Sequence, residues 1–184
     1  DVCSSDLGYP IQAPLDAFLT LRREHGLTPA NVQRVVVKLP PDGAGIVNDR
    51  EMPDVNVQYC VAVALIDGTV SFEDSHSRAR MGDPEVLRIK QRVQLVPDPA
   101  LRDPAAPRSG LVEVTLTDGR TVTHFTKFPP GTKENPLDDA RVAAKARSLI
   151  EPVLGKARTE SIVARVSALE SLRDVRELAR LLSA

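Results

Sequence analysis

LVEVTLTDGRTVTHFTKF, residues 111–128, decides how this chain folds. Apolar and polar positions alternate through residues 111–116, break at Thr117-Asp118-Gly119, and alternate again through residues 121–128. Period-2 alternation puts one face of each run on a core, and Asp-Gly suits the positive-φ positions of a tight turn. The stretch is a β-hairpin. A hairpin alone buries too little to be stable, so further strands or covering helices are required.

Two more strands lie upstream. VQRVVVKL, residues 32–39, is rich in β-branched residues, alternates, and stops at Pro40-Pro41. Residues 92–96 form a shorter one. Pro97, Pro99, Pro104 and Pro107 then mark a mobile loop before the hairpin, because neither a helix nor a central strand accommodates them. Residues 40–53 read as a polar loop with Gly43 and Gly45.

Helical signals surround the strands. Ile11, Leu15, Phe18, Leu19 and Arg22 recur at helix spacing up to His25, with Gly26 as a stop. Thr28-Pro29 suits a single turn at most. Residues 54–68 are ambiguous by periodicity alone, since 60–66 is apolar on every side. Length, Asp54 as a plausible N-cap and Gly68 beyond the end favour a buried helix over a buried strand. Asp83 is placed to cap a helix over residues 84–90. After residue 136 only helices are expected, over 137–150, 160–172 and 174–182, the last two with stripes of Ile162, Val166 and Leu169 and of Val175, Leu178 and Leu182 that need a covering surface.

The resulting expectation is an α+β fold: about four mostly antiparallel strands with helices packed on one face, followed by C-terminal helices. It spans residues 8–136, with residues 137–184 as a separate helical part. The opening DVCSSDL, residues 1–7, matches a translated sequencing adapter and is set aside as an artefact.

Composition narrows the function classes. Hydrophobic residues make up 42% and charged ones 27%, with a net charge of -1, so there is no electrostatic reason to expect nucleic acid or an anionic membrane. No apolar run approaches the length of a membrane span, and no secretory leader opens the chain, which makes the cytosol the expected compartment. Two cysteines, Cys3 and Cys60, are too few for a disulfide framework. No phosphate loop or nucleophile elbow is present, and His25, His76 and His124 lack metal-ligand spacing. His25 ends a helix, His124 is expected to face solvent, and His76 to sit at a solvated helix end. Cys60 is expected as a small buried hydrophobe.

Two segments carry a resemblance: QYCVAVALIDG, residues 58–68, and PPGTKENPLDD, residues 129–139. With GYPIQAPLDAFLTLRREHGLTPANVQRVVVKLP, residues 8–40, they resemble the C-terminal half of the 2-methylcitrate dehydratase and cis-aconitate decarboxylase family (MmgE/PrpD). The resemblance implies part of a cofactor-free, metal-free lyase acting on a small tricarboxylic acid. It also implies a missing N-terminal helical domain that supplies most acid–base residues and on which the helices of residues 137–184 pack; the apolar stripes those helices leave uncovered lead to the expectation of a homodimer. Epimerisation or isomerisation of a dicarboxylic acid is the alternative within the family, and a non-catalytic binding or assembly module is the alternative outside it.

The resemblance also assigns residues. Tyr59 matches the family's cleft tyrosine and is the catalytic candidate; the bland alternative is a core tyrosine whose hydroxyl is satisfied locally. Gln12 stands where many members carry histidine. An amide can hydrogen-bond a substrate but cannot shuttle a proton at neutral pH. The family's substrate-binding lysine would fall at Cys3. Lys133, with Arg141 nearby, is the candidate for attracting substrate carboxylates, while Asp16 orients its helix neighbours and Lys145 packs.

Overall fold

The computed structural model describes residues 7–183, which form two compact units, one up to Pro136 and one from Leu137. Of the suspected artefact only Leu7 lies among the described residues, where it joins the core; Cys3 lies outside them.

In the first unit, β1 (Val32–Leu39), β2 (Val93–Pro97), β3 (Gly110–Leu116) and β4 (Thr121–Thr126) form one sheet in the order β2-β1-β3-β4. β1 pairs antiparallel with β3, and β3 with β4, but β2 lies parallel to β1. The sheet is therefore mixed, with two antiparallel pairings and one parallel. The parallel pairing follows from chain path: a crossover of helices carries the chain from the end of β1 back to the start of β2. Cross-strand partners share a face, so Val35, Val37, Val93, Leu95, Val112 and Val114 form one buried face. His124 lies opposite buried Val112 and is half-buried, not solvent-facing as expected.

The helices cover this face. α1 (Gln12–His25), preceded by a 3-10 turn at Tyr9–Ile11, buries Leu15, Phe18 and Leu21. The stretch expected as a polar loop contains a helix, α2 (Pro41–Val47). Its two glycines conceal it in the sequence, yet Pro41 is already set at the helical φ of a first turn and Ala44 and Val47 point into the core. α3 (Val57–Asp67) is the ambiguous segment, and it is a helix buried at every residue from Val57 to Leu65. Its N-cap is Asn56, not Asp54: the Asn56 side chain accepts from Tyr59 N at 2.9 Å, after a 3-10 turn at Pro53–Val55. α4 (Phe72–His76) opens with a reciprocal capping box between Ser71 and Asp74, and α5 (Arg78–Met81) follows. α6 (Pro84–Lys90) is capped by Asp83 as expected. The proline-rich connection to β3 is fastened by Asp98 N donating to Leu39 O at 2.8 Å and contains a 3-10 turn at Pro99–Leu101.

The second unit holds α7 (Asp139–Leu154), α8 (Lys156–Ser167) and α9 (Arg176–Leu182). Arg147 grips Glu160 with two hydrogen bonds at 2.7 and 3.0 Å, joining α7 to α8, and Arg165 pairs with Glu177 at 2.9 Å, joining α8 to α9. Of the two expected stripes, Ile162 is buried, whereas Val166, Leu169, Val175 and Leu182 are 51%, 51%, 66% and 56% exposed.

α1 approaches β3 most closely at Gly110, where a Cβ would lie 2.7 Å from the backbone N of Pro14. Neither atom belongs to a flexible side chain, so the helix must shift to admit a methyl group. Gly110→Ala is expected to destabilise the fold by about 1–3 kcal/mol, read as a lowered midpoint in urea unfolding followed by far-UV circular dichroism. An unchanged midpoint would show that the α1–β3 contact relaxes freely.

Candidate functional site

α1 and α3 run side by side in the same direction. At their starts, Gly8 N donates to Asp54 O at 2.7 Å. At their ends, Arg22 Nε donates to Leu65 O at 3.4 Å, and the Arg22 guanidinium lies so close that a Cβ on Gly68 would be 2.7 Å from its Nη1. Gly68 has φ +83, so its backbone favours glycine, while the Arg22 guanidinium is the movable end of a long side chain. The start of each helix carries a positive dipole end equivalent to about half a charge. That is a favourable setting for a carboxylate.

Gln12, the first residue of α1, is 3% exposed at this end. One turn along, Asp16 accepts a hydrogen bond from Thr126 Oγ1 at 2.9 Å, which locks the end of β4 onto the start of α1. The loop that follows β4 is closed by Gly131 N donating to Asn135 O at 2.8 Å and Asn135 Nδ2 to Phe128 O at 3.0 Å. Lys133 stands exposed on it. The start of α1, the end of β4 and the root of the Lys133 loop therefore come from distant parts of the sequence to one end of the sheet.

Tyr59 opens α3 and is fully buried. Its hydroxyl donates to the main-chain carbonyl of Asp74 at 2.7 Å, tying α3 to α4. Burial, joined by the Asp74 carboxylate, raises the phenol pKa above its ordinary value, so it stays protonated near neutral pH. Cys60, beside it, is a buried free thiol whose pKa is likewise raised by burial. It behaves as the small hydrophobe expected. His76 ends α4 exposed, with Nδ1 2.8 Å from Phe72 O and its ring centroid 4.3 Å from that of Phe72. Arg141 and Lys145 lie on α7 in the second unit.

Sequence reasoning overlooked the residue before Tyr59. Gln58 Nε2 donates to Asn48 Oδ1 at 2.6 Å, and its Oε1 accepts from Asp49 N at 3.0 Å. Asp49 has φ 47 and is ion-paired with Lys90. The Asn48-Asp49 dipeptide was the available signal, since both residues tolerate the left-handed region and close turns.

Among the described residues no group of histidine, cysteine and carboxylate side chains could hold a metal ion, and no helix is long and apolar enough to cross a membrane. The sequence matches the MmgE/PrpD C-terminal domain over residues 7–169. It is 28% identical over 136 residues to a cis-aconitate decarboxylase of Aspergillus terreus, covering 70% of this chain and 26% of that protein. It is 29% identical over the same length to the cis-aconitate decarboxylase of A. terreus strain NIH 2624, with the same coverage. The chain thus spans about a quarter of the length of the curated relatives it matches.

The Tyr59–Asp74 hydrogen bond is open to direct measurement. Tyr59→Phe leaves the ring in place and strands one carbonyl, so the expected loss of stability is about 1 kcal/mol. It is read from chemical unfolding together with faster amide exchange over residues 72–76. Unaltered exchange there would show that the hydroxyl does not hold α4.

Proposed function

We propose that this chain, which belongs to the MmgE/PrpD family and carries its C-terminal domain, is part of a lyase acting on a small tricarboxylic acid. The observation that carries the proposal is the match to cis-aconitate decarboxylase across most of the chain. The N-terminus of α1 at Gln12 is chemically consistent with it, because a substrate of this class carries several carboxylates. In this reading a helical domain outside the chain completes the site, the full protein is a homodimer, and the reaction uses protein side chains alone.

Each residue then has a role suited to its chemistry. Gln12 donates its amide to a substrate carboxylate and moves no proton. Lys133 attracts the anion from an exposed loop. Tyr59 is the candidate catalytic phenol through its place in the motif, and that role requires its hydroxyl to exchange the Asp74 carbonyl for substrate. The observed hydrogen bond favours a different part for Tyr59, that of an anchor for α4. A proton is withdrawn or delivered beside a carboxylate by a base outside these residues, with loss of carbon dioxide or water. Gln12, replacing the histidine common in the family, also suits the second reading, isomerisation of a dicarboxylic acid by a changed set of acid–base groups.

Two experiments bear on the proposal. The purified chain is expected to turn over neither cis-aconitate, citrate nor 2-methylcitrate, whereas the full polypeptide should act on at least one of them. Turnover by this chain alone at about 1 per second or faster would overturn the incomplete-site reading. In the full polypeptide, Tyr59→Phe should lower kcat more than about tenfold if the hydroxyl meets the transition state. Unchanged kcat with lost stability would assign Tyr59 to the anchor role.

A further inference from the structure

A groove of about 920 Å3 runs along β2, at the end of the sheet away from Gln12. Its lining combines Arg34, Arg92, Gln94 and Thr115 with Gln58 of α3 and the Asp49 carboxylate. Gln12 belongs to the Gly110 and Thr126 end, where Pro14 and Asp16 pack; Thr115 and Arg34 lie at the opposite end of β3 and β1.

The two arginines are immediate neighbours. The parallel ladder begins at Val35↔Val93, and Val35 N donates to Arg92 O at 2.9 Å, which sets Arg34 beside Arg92. Among the described residues neither forms an ion pair with a carboxylate. Arg34 donates to the neutral amide oxygen of Gln94. Arg92 donates from Nη1 to two main-chain carbonyls, Pro29 O and Val32 O, both at 2.8 Å. The nearby acids are engaged elsewhere: Asp49 with Lys90, and Glu113 with Lys38 at 2.7 Å. Arg34 reaches forward to Gln94 and Arg92 back to Pro29 and Val32, and these amide dipoles compensate each guanidinium charge only in part. The planar fork of each remains matched to an oxyanion, with amide N–H groups and a hydroxyl as additional donors.

We propose that this groove is a second anion site, which takes a small polyvalent oxyanion, a di- or tricarboxylate or a phosphate, between Arg34 and Arg92. Arg92 is held rigidly by its carbonyls and Arg34 lies exposed on β1, so the first supplies a fixed charge and the second closes over the ligand. The site lies apart from Gln12 and Lys133 and does not depend on the reaction proposed above.

The test is calorimetric titration of this chain at low ionic strength with citrate and, separately, with inorganic phosphate, alongside amide chemical-shift mapping. Saturable binding of at least one anion is expected, with shifts at residues 33–34 and 91–94. Binding of citrate alone identifies a carboxylate site, of phosphate alone a phosphate site, and of both a general oxyanion site. Arg34→Gln, an exposed change that spares the core, should weaken binding about tenfold or more, while Arg176→Gln, on the exposed side of α9, should leave it unchanged. Three results would each overturn the proposal: no saturable binding up to about 10 mM, equal affinity in Arg34→Gln, or an equal loss of affinity in Arg176→Gln.

Discussion

Everything in the first unit is arranged to cover one helix that has no polar face. α3 is buried at every residue from Val57 to Leu65, so it needs neighbours on all sides. A helix of that kind cannot rest on a surface; it must be the centre of a core. Burying a Val, Leu or Tyr side chain contributes roughly 1.5–3 kcal/mol each, so leaving any flank of α3 open would cost a large fraction of a small domain's net stability. The sheet covers it on one side, and α1, α6 and the short α4 close the others.

The same constraint fixes the geometry of the candidate site. With α3 immobilised, α1 is clamped to it at both ends, through Gly8 on Asp54 and Arg22 on the carbonyl of Leu65. The Arg22 charge lies against the negative end of the α3 dipole, which further favours this orientation. The positive end of the α1 dipole is thereby fixed where Gln12 lies. The site's electrostatics are thus a consequence of how a fully apolar helix has to be packed.

What could be read from the chain alone was whatever depends on local pattern. The hairpin, β1, β2 and α6 are written in alternation, turn residues and a capping aspartate. α2 was not, because Gly43 and Gly45 argue against a helix and only burial of Ala44 and Val47 stabilises it. The cap of α3 was assigned two residues early because Asp54 and Asn56 are equally good caps by type, and the 3-10 turn at Pro53–Val55 decides between them. The parallel β1–β2 pairing depends on a tertiary crossover that no periodicity records. Within the site, Tyr59 could be picked out by its motif, but the carbonyl that holds its hydroxyl lies on a helix fifteen residues away. The arginine pair was invisible for the same reason: Arg34 and Arg92 become neighbours only through strand register.

The protonation chemistry of these residues shows what the proposed lyase must obtain from elsewhere. An amide such as Gln12 does not titrate, and Tyr59, raised above its ordinary pKa by burial, stays a phenol near neutral pH. Asp16 is engaged by the Thr126 hydroxyl and holds β4 to α1. This end of the unit therefore offers hydrogen-bond donors, a helix dipole and a lysine, all of which stabilise negative charge, and no group poised to remove a proton. Stabilising charge and moving protons are separable contributions to catalysis. On the proposed reading, the C-terminal domain supplies the first and the remainder of the longer polypeptide supplies the second, so turnover requires both together.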